Sequence, residues 1–179
     1  MNLERYEAAP DFPAYLQMVE KNADLWRGVY ERVRLPADVI ERARAIDGRW
    51  RLAALSEDWC GDAVNTLPVV ARMAEAAGWD FRVFSRDDNP DLMDVHLTGT
   101  SRSIPVVILY REAPENQVFE EIGWWGPRPG EIQSWVMAEG LTLPSTERYK
   151  EVRRWYARDR GRTTAEELLH VFDLAEAVR

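Results

Sequence analysis

The chemistry this sequence could carry gathers around one sulfur. Cys60 is the only cysteine and lies in the segment SerGluAspTrpCysGlyAspAla, residues 56–63. A thiolate is a strong nucleophile, and toward a disulfide it forms a mixed disulfide. TrpCysGly follows a short apolar run and precedes a helical pattern, which sets the sulfur at a helix N-terminus. The unpaired N–H groups and the positive end of the dipole there favour the thiolate, so a pKa below the usual value of about 8.5 is expected. A strand-to-helix turn also predicts a sulfur that is partly exposed rather than buried. Two further features stand in register with it: Pro68 inside the following helix, and Ser103-Ile104-Pro105 opening a strand, where a proline needs a special position. With one cysteine, no intramolecular disulfide and no cysteine-based zinc cluster can form. His96 and His170 lie far apart without carboxylate partners at ligand spacing, and no phosphate-binding glycine motif occurs. No metal is expected, and His96, in an amphipathic stretch, reads as a surface or boundary residue.

The elements that must hold these residues follow from periodicity. Phe12, Tyr15, Leu16, Val19, Leu25, Trp26, Val29 and Val33 recur at helical spacing, interrupted near Asn22 and Asp24. Pro36 suits the first turn of another helix, 38–46, with Gly48 available as its left-handed cap. Strands are expected at 50–55, 80–85, 106–110 and 117–122, the last two joined as a hairpin. Helices are expected at 64–77, 90–97 and 131–138. Beyond Pro144 the pattern is helical, with one helix from Ser145 to Gly161 and another to about Val178. Thr163 and Thr164, three residues before Glu166 and Glu167, signal a capping box for the last. Mixed α/β architecture follows. The division expected is an N-terminal helical segment 1–48, a central domain 49–140, and a C-terminal helical hairpin 141–179 packed on the same domain.

Composition narrows the setting. Hydrophobic residues are 46% and charged residues 30% of 179, which suits a globular core, and no run approaches the length of a membrane span. The first residues carry Glu4, Glu7 and Asp11 without an apolar stretch, so no secretory signal and a cytoplasmic location are expected. A net charge of −8 argues against nucleic acid as a partner. The basic run Lys150, Arg153, Arg154, Arg158, Arg160 and Arg162 is interleaved with Glu147, Glu151 and Asp159. It reads as a solvated helix face in preference to an anion-binding patch.

Cys60 in its WCG setting, Pro68 at kink-proline spacing, Ile104-Pro105 and the element order together resemble the thioredoxin superfamily over roughly residues 49–140. The resemblance implies a thioredoxin-like mixed central sheet flanked by helices. It makes Cys60 the nucleophile, Pro105 the cis-proline facing it, and Ile104 the residue whose backbone receives an extended substrate. Trp59 would form an apolar wall, and Gly61 would let a partner backbone approach.

The departures are as informative. Ala63 replaces the second cysteine, so no resolving thiol exists in the chain, and Ala54 stands where the family keeps a buried acid. Proton transfer to a leaving thiol would fall to Glu57, Asp58 or Asp62, although Asp58 and Asp62 equally suit a helix start. Asp62 also opposes the dipole, so a less acidic thiol than a thioredoxin's is expected. Trp124 and Trp125 read as core packing against the C-terminal helices, and Arg102 as a surface residue. Two functions follow. One is a monothiol thiol–disulfide oxidoreductase or carrier, with a protein or small-molecule thiol or disulfide as partner. It needs no cofactor beyond an external low-molecular-weight thiol as reductant. The other is a redox-inactive binding module for a protein partner.

Overall fold

The computed structural model describes residues 1–113 and 118–177. The expected strand start at Gln117 and helix end at Val178 lie outside the described residues. In chain order come α1 (Leu3–Ala8), α2 (Phe12–Met18), α3 (Ala23–Arg32), α4 (Ala37–Arg44), β1 (Trp50–Ser56), α5 (Gly61–Ala77), β2 (Asp80–Ser85) and α6 (Pro90–Met93). Then follow β3 (Val106–Ala113), β4 (Val118–Trp125), α7 (Gly130–Ala138), a 3-10 turn (Gly140–Thr142), α8 (Ser145–Asp159) and α9 (Arg162–Ala177).

The sheet order is β2-β1-β3-β4. β1 pairs parallel with β2 (Leu52 opposite Phe81) and antiparallel with β3 (Leu52 opposite Leu109). β4 pairs antiparallel with β3 across an irregularity at Leu109/Tyr110. β1, like β3, has neighbours on both sides, and its central run is apolar: Leu52, Ala53, Ala54 and Leu55 are fully buried. A strand buried on both faces has no reason to alternate, and its continuous run is what marks it in the sequence. The crossover from β1 to β2 is α5, whose Val64, Leu67, Val70 and Met73 are fully buried, with Pro68 inside it and Gly78 capping it at φ +75.

The flanking helices share this core. In α1, which periodicity did not reveal, Tyr6 is fully buried with its hydroxyl 3.0 Å from the carbonyls of both Leu52 and Asp80, tying β1 to β2. The break between α2 and α3 falls at Asn22, in the left-handed region at φ 58. α9 sends Leu168, Leu169 and Phe172 into the same core, the Phe172 ring lying 4.7 Å from Trp50 and 4.6 Å from Trp79. α8 buries Val152, Trp155 and Tyr156 in a smaller cluster with Ile132 and Val136 of α7. α8 and α9 are joined by a tight turn in which Gly161 takes φ +84.

Several local expectations are corrected. Gly48 does have positive φ (+113), but α4 ends at Arg44, so the glycine turns the chain into β1 instead of capping the helix. Asp159, not a threonine capping box, covers the start of α9: its carboxylate accepts from the Thr163 N–H at 3.2 Å and from the Thr163 hydroxyl. Glu166 and Glu167 are thereby free for longer-range work. Glu166 pairs with Arg42, and Glu167 accepts from Trp125 Nε1 and the Gly130 N–H, both at 2.8 Å, fastening α9 to the loop after β4. His96 is buried rather than at a boundary, with Nδ1 2.6 Å from the Leu92 carbonyl, Nε2 2.8 Å from Glu121, and Trp124 edge-on to its ring.

Candidate functional site

Cys60 stands four residues beyond the carboxyl end of β1, where open α/β sheets place their ligands. It is the N-cap of α5, and its Sγ accepts from the Ala63 N–H at 3.5 Å. In the other direction the thiol donates to the Ile104 carbonyl oxygen at 3.4 Å, across the cis Ile104–Pro105 peptide. The turn is held from behind. The Cys60 N–H donates to the Glu57 carbonyl at 3.1 Å, and the Asp58 carbonyl accepts from Trp26 Nε1 at 2.9 Å.

Cys60 is 7% exposed, so the expectation of a partly open sulfur is overturned. The expected acidity is overturned with it. Burial pushes the thiol up to about 11; the Ala63 N–H opposes this and the charge of Asp62 adds to it. A charged sulfur loses hydration on burial, and that loss exceeds what one helix terminus returns. The side chain nevertheless borders a surface hollow of about 560 Å³. Trp59, Gly61, Asp62 and Ile104 line the same hollow. Trp59 is 45% exposed with the Arg86 guanidinium 5.1 Å from its ring, and a Cβ at Gly61 would meet nothing within 4 Å, leaving room for an approaching chain.

The three carboxylates separate. Glu57 accepts from the Ser85 hydroxyl and the Asp87 N–H, both at 3.1 Å. Asp58 accepts from the backbone N–H groups of Glu20 and Lys21 at 3.1 and 2.9 Å, anchoring the chain between α2 and α3 to the Cys60 turn. Both line a different hollow from Cys60. Asp62 alone stays beside it, buried, with its charge engaged: Arg128 donates to Oδ2 at 2.5 and 3.1 Å, and the Tyr156 hydroxyl donates to Oδ1 at 3.0 Å. Burial works against the Arg128 charge, but the bond to Asp62 and the charge of Asp62 together outweigh this and raise its pKa, while burial and then Asp62 raise that of the Tyr156 phenol.

Arg128 and Tyr156 were not legible as site residues. Arg128 comes from the Pro127-Arg128-Pro129 loop, where its isolation among prolines and glycines was the available signal. The loop is pressed close to the site: Gly126 has φ +137, and a Cβ there would lie 2.1 Å from the Pro105 carbonyl oxygen. Tyr156 arrives from α8, 94 residues from Asp62, and no local pattern announces it. Trp125 packs as expected and Trp124 is half-buried. Arg102, half-exposed, is paired with Asp94.

A family model described as thioredoxin matches residues 9–153. The chain belongs to the thioredoxin family. Among solved structures, this thioredoxin-family chain is similar to a protein of unknown function from Pseudomonas aeruginosa, with a TM-score of 0.76, 17% identity, and coverage of 98% of this chain and 99% of that one. It is also similar to an HIV epitope scaffold, with a TM-score of 0.73, 16% identity, and coverage of 97% and 98%. At such identities these likenesses show the shared fold, including the helices outside the minimal thioredoxin core. No curated protein sequence matches the chain. Among the described residues no group of three or more His, Cys, Asp or Glu side chains could hold a metal ion, and no helix is long and apolar enough to cross a membrane.

Proposed function

We propose that this thioredoxin-family protein is a slow monothiol carrier that forms a mixed disulfide at Cys60 in a reducing compartment, the cytoplasm. The observation that supports this is the Cys60 sulfur bordering an open hollow at the start of α5 while hydrogen-bonded to the Ile104 carbonyl. The Cys60 thiol loses its proton to water, and the thiolate attacks one sulfur of a disulfide. The Cys60–sulfur bond forms as the original S–S bond breaks, and the second thiolate leaves. An external low-molecular-weight thiol later attacks the mixed disulfide and returns Cys60 as a thiolate, because Ala63 offers no internal sulfur. A partner strand pairing with Ile104 would take the carbonyl that now accepts from the thiol. A thiol pushed up to about 11 is mostly protonated at neutral pH and is also a poor leaving group. The adduct is therefore slow to form and slow to resolve, which suits holding a group better than rapid turnover.

The same raised pKa favours a second reading, a binding module in which the hollow beside Trp59 receives a partner without exchange. Affinity capture with wild type and Cys60→Ser separates the two. Partners retained only by wild type and released by reductant support the carrier. Equal, reductant-insensitive capture by both supports the module.

A further inference from the structure

A further hollow, of about 710 Å³, lies between α3, α5 and α8. Its floor is apolar, made by Leu25, Val29, Val33, Val69 and Ala157, with Val33 and Val69 buried. Four arginines, Arg32, Arg34, Arg153 and Arg160, stand around it, and no Asp or Glu lines it. Among the described residues none of the four has a carboxylate within salt-bridge distance; Arg34 donates only to the Glu31 and Val33 carbonyls. Their neighbours in the basic run behave differently, Arg154 pairing with Glu151, and Arg162 with Asp38 and Glu166. Arg32, Arg34, Arg153 and Arg160 are all exposed, and in a chain of 31 acidic and 23 basic residues they gather a local positive rim around one apolar hollow. The turn after α8 is shaped to this wall. Arg160 is held at φ 57, and a Cβ at Gly161 would lie 2.4 Å from Val69 of the floor.

We infer that this hollow binds a small amphipathic anion, an apolar body on the valine floor with a carboxylate or phosphate head among the arginines. Its size falls within the roughly 300–1,000 Å³ of small-molecule sites, and such sites pair an apolar lining with a few fixed polar groups. The hollow shares Leu25, Asn65 and Arg153 with the Cys60 hollow, so the occupant lies against Tyr156 and next to the hollow that the thiol borders.

Calorimetric titration of the full chain with octyl phosphate, octanoate, octanol and inorganic phosphate tests this. Saturable one-to-one binding of octyl phosphate or octanoate is expected, the tighter head group identifying the anion. Octanol and inorganic phosphate should each bind at least about tenfold more weakly, since each supplies one half of the interaction. The double variant Arg153→Gln/Arg160→Gln, checked for an unchanged circular dichroism melt, should lose at least about tenfold in affinity for the amphiphile. Octanol binding as tightly as octyl phosphate, unchanged affinity in the double variant, or no saturable binding of either amphiphile would overturn the inference.

Discussion

Exchange between Cys60 and a small neutral disulfide such as hydroxyethyl disulfide should be slow at neutral pH and should accelerate far into the alkaline range. The perturbation is the shift of one proton. An unstructured thiol of pKa about 8.5 is about 3% thiolate at pH 7, whereas a thiol at about 11 is about 0.01% thiolate, roughly a 300-fold deficit. A more basic thiolate is intrinsically more nucleophilic. With a Brønsted coefficient of about 0.4–0.5, about 2.5 pH units return roughly 10- to 18-fold. The net expectation is exchange about 25-fold slower than for the same cysteine in the urea-unfolded chain, and the 7% exposure of Cys60 can only widen that gap. Intact-mass spectrometry of quenched samples from pH 6 to 11 reads both rates. The unfolded reference should level off near pH 8.5, while the folded rate continues to climb about tenfold per pH unit toward 11. A folded rate equal to the unfolded one at pH 7, or a profile that levels below pH 8.5, would refute the reasoning from burial.

Three further outcomes follow from the same contacts. Asp62→Asn removes a charge that raises the thiol pKa and should shift the Cys60 profile to lower pH, while Arg128→Gln leaves Asp62 uncompensated and should shift it higher. Each breaks a largely buried pair and should cost about 2–3 kcal/mol by urea denaturation, below the figure for a fully buried pair because Arg128 is 19% exposed; profiles moving in the same direction would contradict the assignment. Because the folded thiol pKa lies above the unfolded one, the stability it contributes is fully present below about pH 8.5 and is lost as pH rises toward about 11, at up to about 1.4 kcal/mol per pH unit. Cys60→Ser should therefore show a shallower alkaline loss over that window in denaturation curves, and identical slopes would contradict the shift. Phe172→Ala, which empties the space against Trp50 and Trp79, should cost about 3–5 kcal/mol by urea denaturation; a loss below about 1 kcal/mol would mean α9 is not part of the core.

What could be read in the sequence was what local pattern encodes. The unbroken apolar run of β1 and the stripe of α5 ending at Gly78 are local signals, and the strand–turn–helix around Cys60 follows from them. The cis-proline segment was found because a proline before a central strand is conspicuous. The thiol acidity was misjudged for a physical reason: dipole and neighbouring charge can be read from the segment, but burial is set by Ile104 and the loop pressed in by Gly126, dozens of residues away. The same holds for the carboxylates. Glu57, Asp58 and Asp62 look alike in sequence, and only tertiary contacts decide that Glu57 braces the turn after β2, Asp58 anchors the chain before α3, and Asp62 meets Arg128 and Tyr156. His96 read as a surface or boundary residue because two of the groups that enclose it, Glu121 and Trp124, come from β4, beyond its own segment. Arg153 and Arg160 are exposed, as the solvated reading of the basic run expected, but the hollow they border is made by three helices at once and has no local signature.

The most direct test of Cys60 as a carrier thiol is incubation of the folded protein with hydroxyethyl disulfide at pH 9, followed by intact-mass spectrometry and then addition of an external thiol. One adduct per chain on wild type, none on Cys60→Ser, and slow return to the free mass after the thiol is added is the result expected. A folded chain that stays unmodified after an incubation about a thousand times longer than the one that fully converts the urea-unfolded chain would contradict it.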